Sequence, residues 1–361
     1  MTGTDSGKPG LAVFVALAYT LVIVFASLQP FSGWRAPPDE VLRFLAVWPR
    51  YITAGDVVLN IFAYLPLGVT LFAALRRRLP GAAAFVVATL LAALLSLGLE
   101  SAQMFLPTRI ASILDLLSNS AGAGIGALLG WIWVQPAFAE NPLAAIRRDI
   151  VRTDAFGDCG MIVTAAWVLI QFHQAPLVFG GGDWRELLHL TPLFAHTPQT
   201  YLLAEGAIVA FATAGVSLLI SLLLQPQRPA APAIVLTLAL ALTAKSIAAG
   251  TLARAANWLV WLTPGVGTGI AGGLVLYAVL ARFARTARAL GAIICLVAVL
   301  IVVNGTPENP YQVAPAFMFS QQPTHLLNFS NIVRVLSQTW PLIAVIFLLV
   351  LARRERSATT P

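Results

Sequence analysis

Three polar pairs carry the chemistry that this chain could do: Asp56 with Asn60, Glu100 with Gln103, and Asp115 with Asn119. The members of each pair are three or four residues apart, so each pair occupies one face of a helix. Each pair also sits at the end of a strongly apolar run. A carboxylate at the edge of hydrocarbon is costly and is kept for a partner or a task. If the pairs converge, Glu100, Asp56 and Asp115 are the candidate catalytic acids. Their use as acid or base would need proton affinities tuned by their neighbours. Asn60, Gln103, Asn119 and the nearby Arg109 are the candidate substrate-binding groups. The alternative is purely structural. Asp56 and Asp115 stand at helix starts, where an acid caps free N–H groups, and the three amides could bond between helices. Glu100 fits that alternative least, because it ends its helix, where a negative charge is disfavoured.

The elements that must position these residues are membrane helices. Of the 361 residues 58% are hydrophobic and only 10% charged, and the mean hydropathy is +0.83. A soluble domain carries roughly 25% charged residues. The fold class expected is an all-α polytopic membrane protein with about ten spans of roughly 20 residues. Apolar runs cover 11–28, 57–75, 82–99, 114–134, 160–178, 201–224, 233–250, 257–281, 290–304 and 336–352. The first run, with only Lys8 before it, reads as an uncleaved span rather than a signal peptide. The net charge of +7 sits in arginine clusters between runs, which argues for membrane topology and against nucleic acid. Lys8, Arg76–Arg78, Arg147, Arg148, Arg152, Arg228, Arg282, Arg285, Arg288, Arg353, Arg354 and Arg356 fall on one side. By the positive-inside rule that side is cytoplasmic and holds both termini. All three polar pairs then lie near the outer surface.

The string Asp56-Val-Val-Leu-Asn60-Ile-Phe-Ala-Tyr-Leu-Pro66-Leu-Gly68 resembles the first motif of the VanZ-like family. Glu100-Ser-Ala-Gln103-Met-Phe, then Arg109, then Asp115-Leu-Leu-Ser-Asn119-Ser-Ala-Gly122 resembles the second. The resemblance covers about residues 11–134. It implies an integral protein of the bacterial inner membrane and a link to teicoplanin susceptibility, and it implies no defined reaction. The organisation expected is a VanZ-like domain at 11–134, an interfacial linker at 135–158, a second transmembrane half at 159–352 and a cytoplasmic tail at 353–361.

Shifting the chain by 145 residues lays 97–128 over 242–273 without a gap, with identities that include Arg109 on Arg254, Gly122 on Gly267 and Gly124 on Gly269. A degenerate parallel repeat is therefore expected. Its second copy replaces Asn60 with Glu205 and Glu100 with Lys245, and loses the other four polar positions. Glu205 and Lys245 are expected to form a neutralising structural pair.

Other motifs are weak. Gly267-Thr-Gly-Ile-Ala-Gly272 has the pattern of a dinucleotide loop but lies inside an apolar run, so helix packing explains it better. His173, His189, His196 and His325 lack metal-ligand spacing, and Cys159 and Cys295 suggest neither a disulfide nor a metal site. No metal and no cofactor is expected. The leading functional expectation is that the outward acidic cluster binds or modifies a cell-envelope lipid or lipid-linked wall precursor. A non-catalytic scaffold for envelope enzymes and a transporter or flippase are the alternatives. Residues 136–158 suggest a helix lying on the inner surface, and 305–335 an outer interfacial loop.

Overall fold

The computed structural model describes residues 11–357 apart from 30, 32, 38, 39, 50–53, 134–146, 174–176, 196, 253–256 and 308–323. The side chains of 11, 14, 54–56, 59, 251, 252 and 324–332 also lie outside the described residues. Apart from one antiparallel bridge between Val151 and Leu224, the regular structure described is helical. The long helices are α1 (Leu11–Leu28), α2 (Ala54–Leu75), α3 (Gly81–Gln103), α4 (Ile113–Trp133), α5 (Ala155–Ile170), α6 (Pro198–Leu223), α7 (Ala231–Ile247), α8 (Pro264–Leu280), α9 (Arg285–Gly305) and α10 (Thr324–Ser357). Among the described residues, six helices are long and apolar enough to cross a membrane: α3, α4, α6, α7, α9 and the Val333–Ser357 part of α10. The other four contribute shorter apolar stretches.

The chain divides into two compact units, Met1–Ala145 with Gln322–Ile332, and Ile146–Gln321 with Val333–Pro361. In the first unit α2 and α4 make the most intimate pair, and α3 packs on both. Glycine permits this approach. A Cβ on Gly122 would overlap the main chain of Ile61, and one on Gly126 would overlap that of Leu65. On α3 the facing stripe is Ala84, Ala88, Ala92 and Ser96, all fully buried at every fourth residue. Glu100 continues that stripe by one more turn, which is why it points inward. Asn119 likewise lies on the glycine face of α4, and Asn60 with Tyr64 on the buried face of α2.

In the second unit α6 is the central helix, with 78% of its most apolar window buried. Helix α8 packs along it through glycines. A Cβ on Gly269 would come within 2.7 Å of the Gly206 carbonyl. At one end of this unit Asp154 caps α5, accepting the Gly157 N–H at 3.1 Å. Arg152 pairs with Asp154 at 2.8 Å and with Glu355 at 2.5 Å, and Arg354 reaches Asp154 at 2.9 Å. At the other end Asn304 clamps the Gly182–Trp184 loop through the Gly182 carbonyl and the Trp184 N–H, both at 2.8 Å.

Several helix limits differ from the apolar runs. Helix α8 starts at Pro264 rather than 257, because Thr263 accepts the Val266 N–H as an N-cap and proline favours the first helical turn. Helix α5 ends at Ile170, where the Gln171 side chain turns back to accept the Phe179 N–H at 3.2 Å. Helix α10 begins at Thr324, well before 336, so the end of the expected 305–335 loop is helical. Its 308–323 stretch lies outside the described residues, as does 134–146 of the expected surface helix.

Candidate functional site

Five of the six paired residues meet around one small cavity. Its lining includes Asn60, Glu100, Gln103, Asp115 and Asn119, together with Tyr64 and the end of α1 at Ala26 and Ser27. The sixth, Asp56, falls in the first turn of α2, and its side chain lies outside the described residues. The cavity encloses about 20 Å³, room for about one water molecule. Glu100, Gln103, Asn60 and Asn119 are 4%, 5%, 8% and 6% exposed. The polar groups are therefore inside the helix bundle, close to where α2 starts, α3 ends and α4 starts.

Each carboxylate has a neutral donor. Glu100 Oε2 accepts the Ser112 N–H at 2.9 Å, and Ser112 Oγ accepts the Leu114 N–H at 3.1 Å. Glu100 ends α3, yet its charge lies against the N-terminus of α4, where the helix dipole favours it. That resolves the objection to a charge at the end of α3. Asp115 Oδ1 accepts from Asn60 Nδ2 at 3.0 Å, tying α4 to α2. Asn119 Nδ2 donates to Ser96 Oγ at 3.0 Å, tying α4 to α3. The Asn119 Oδ1 atom is buried without a hydrogen-bond partner.

Gln103 and Arg109 have a second duty, holding the end of α1. Gln103 Nε2 donates to the Ser27 carbonyl at 3.1 Å. Arg109 donates to the Ala26 carbonyl at 3.1 Å and to the Gln29 carbonyl at 3.0 Å. These are carbonyls that a helix C-terminus leaves unpaired. Arg109 remains close enough to Glu100 to act on its charge. Tyr64, Ser96 and Ser112 complete the site and were not among the sequence candidates. A signal existed for two of them: Tyr64 follows Asn60 by four residues and Ser96 precedes Glu100 by four, one turn deeper on the same faces.

In the second unit Glu205 and Lys245 are both buried, at 8% and 5% exposure. Thr263 Oγ1 donates to Glu205 Oε2 at 2.6 Å. The carboxylate lies against Gly265, where a Cβ would be 2.5 Å from Oε2. Lys245 Nζ donates to the His173 carbonyl at 3.0 Å, and the chain passes into a π-helical segment, Ala248–Leu252, just beyond it. Among the described residues no group of His, Cys, Asp and Glu is arranged to hold a metal ion.

Neither the curated proteins nor the solved structures compared with this chain give a match. The family model described as VanZ/LLP1 matches residues 11–134. That span contains α1 to α4 and all the side chains around the cavity, so residues 11–134 are a VanZ-like segment.

Proposed function

We propose that the cluster around Glu100, Asp115 and Asn119 faces the outer surface of a bacterial inner membrane and engages the polar part of a cell-envelope lipid or lipid-linked wall precursor. Engagement of that molecule would change susceptibility to teicoplanin. The observation that carries this reading is the convergence of two acids and an unsatisfied buried amide oxygen on one cavity. Most buried acceptors in a folded protein are paired, so one left over beside two acids calls for a partner. Binding is the part of the reading that the geometry supports, and turnover adds a demand on Glu100 as acid or base.

The test is complementation of a deletion strain, scored by sensitivity to teicoplanin and to envelope stress at matched membrane levels. Glu100→Gln keeps the size and an acceptor for the Ser112 N–H while removing the charge. The expected outcome is loss of the wild-type phenotype. Full activity would transfer weight to a second reading, a non-catalytic scaffold for envelope enzymes. Its supporting observation is that Gln103 and Arg109 already serve to hold α1.

We also propose that α6 and α8 are a degenerate parallel copy of α2 and α4. The support is that each pair is the closest in its unit and each carries a polar bond near the start of its second helix. The partner of Glu205 is Thr263, three residues beyond the Val260 that a gap-free shift would select. An insertion of two residues between the helices of the second copy, which lays Gly269 on Gly122, brings Thr263 to within one residue of the Asp115 position. Such a repeat, together with about ten apolar runs, is what favours transport.

A further inference from the structure

The end of the second unit where α6 stops is rich in arginine. Segments 147–158, 225–228, 282–288 and 353–356 hold ten arginines and four acids. Their contacts place them at one end. Arg152 and Arg285 share Glu355, the Arg152 N–H donates to the Leu223 carbonyl at 2.9 Å, and Arg285 donates to the Leu222 carbonyl at 2.5 Å. Each acid is already held by an arginine: Asp149 by Arg228, Asp154 by Arg152 and Arg354, Asp158 by Arg147, and Glu355 by Arg152. Six positive charges are in surplus, and five if Glu140 of the preceding stretch is counted with them. This end also carries a cleft of about 310 Å³ whose lining is wholly polar: Arg148, Asp149, Gln225, Gln227 and Arg228. The Val151–Leu224 bridge and the Gln225 N–H, which donates to the Ile150 carbonyl at 2.9 Å, join its two walls. Its one acid is answered from within, because Arg228 Nη2 donates to Asp149 Oδ1 and Arg228 Nε to the Asp149 carbonyl at 3.3 Å.

We infer that this cleft seats the phosphate of an anionic phospholipid head group. A guanidinium has five N–H donors in a fork that matches phosphate. Arg148 and Arg228 can therefore donate to a phosphate while keeping the contacts that they already make in the protein. The amides of Gln225 and Gln227 suit the hydroxyls of a glycerol head group. Depth favours a lipid. Residues 225–228 lie in the turn between α6 and α7, both long and apolar enough to cross a membrane, and basic pockets at such helix ends take anionic head groups. A choline head group would bring a cation without N–H or O–H into a surplus of positive charge. A soluble phosphate ester is the other source of the same chemistry. The cleft lies in the other unit from the Glu100 cavity, so the inference does not depend on that cavity's function.

The experiment uses the full chain in nanodiscs made with equal amounts of phosphatidylglycerol and phosphatidylcholine. Lipid retained on the protein is read by native mass spectrometry. The expected result is retention of phosphatidylglycerol over phosphatidylcholine by about tenfold, the scale of one hydrogen bond to a charged group. Arg148→Gln combined with Arg228→Gln should bring the ratio toward one at an unchanged melting temperature, because exposed ion pairs add little stability. If the double variant fails to fold, Arg148→Gln alone carries the comparison. Arg353→Gln is the control. It removes an equal charge from an exposed residue of α10 outside the cleft, and should leave the ratio within about twofold of wild type, less than one such hydrogen bond. Added glycerol 3-phosphate that displaces the lipid shows that a free phosphate ester suffices, whereas a preference retained in its presence shows that the phosphate must be lipid-borne. A wild-type ratio near one overturns the inference. So does a preference that survives in a folded cleft variant, or an equal loss in Arg353→Gln, which would mean diffuse attraction to the basic end and no seat.

Discussion

The α2–α4 pair of the first unit and the α6–α8 pair of the second solve one packing problem with different polar ends. Both bring helices together through glycines on the later helix. In α2–α4 the glycines meet main chain at Ile61 and Leu65, and the polar end is an amide–acid bond beside a cavity. In α6–α8 the first glycine, Gly265, meets only the end of the Glu205 side chain, whose acid is bonded to the Thr263 cap. The comparison teaches that glycine sets the helix approach, while the residues at the helix ends decide whether acceptors are matched by donors. In the second unit the buried acid abuts Gly265, and the polar atoms left over further along α6 are the Thr213 and Ser217 hydroxyls. In the first, one atom left over, Asn119 Oδ1, belongs to a residue that lines the cavity.

Glycine substitutions give the largest effects and can break this comparison. Gly122→Ala would drive a Cβ into the Ile61 main chain, which cannot rotate away. The expected cost is about 3 kcal/mol, or outright loss of folded protein. Gly265→Ala meets a carboxylate that can swing aside, and about 1 kcal/mol is expected. Melting followed by size-exclusion recovery distinguishes them. Equal losses would show that the two pairs are equally tight and the contrast is wrong.

A smaller effect is expected where the VanZ-like segment holds its first helix. Arg109→Gln removes charge-assisted hydrogen bonds to the Ala26 and Gln29 carbonyls, at about 2 kcal/mol. Amide exchange should quicken at the end of α1 and stay unchanged in α6 and α8. Unchanged exchange in α1 would return Arg109 to the site as a pure ligand group.

Much of this was legible in residue spacing. The i, i+3 and i, i+4 pairs located the buried faces of α2, α3 and α4, because a polar residue in an apolar run points to the core or to its own partner. Glu100 shows where that reading stopped. From sequence its position at the end of α3 counted against a structural role, and only the fold reveals that Ser112, twelve residues on, brings a helix N-terminus to it. Arg109 was placed among the acids by proximity in sequence, whereas its hydrogen bonds reach α1, some eighty residues away. Side-chain spacing reports on one helix at a time, and these contacts join helices.

The units also differ in how acids are held, which predicts an acid-sensitive end of the second unit. Asp154 accepts from the Gly157 N–H and pairs with Arg152 and Arg354. Burial pushes its carboxyl up, but the hydrogen bonds and charge of Arg152, with the Gly157 N–H and Arg354, outweigh this and leave it below the ordinary carboxylate range. A depressed carboxyl contributes stability that is present above its unfolded value, near 3.9, and lost as pH falls through the folded one. Asp154→Asn should therefore cost about 1 kcal/mol at neutral pH and nothing at the acid end. A constant deficit across the titration would mean that the charge does not carry the effect, because asparagine keeps the cap.

The smallest effect tests the register of the proposed repeat. A gap-free shift of 145 residues lays Gly267 on Gly122, yet a Cβ on Gly267 would meet nothing within 4 Å. Gly267 lies in α8, where alanine is the better helix former by up to about 1 kcal/mol. Gly267→Ala is expected to be neutral or slightly stabilising. Gly269→Ala, one half-turn on, should be harmful because its Cβ would approach the Gly206 carbonyl and Val209. That order makes Gly269 the packing equivalent of Gly122 and shifts the second copy by two residues within α8. A harmful Gly267→Ala with a silent Gly269→Ala would restore the gap-free register, and with it Val260 as the counterpart of Asp115.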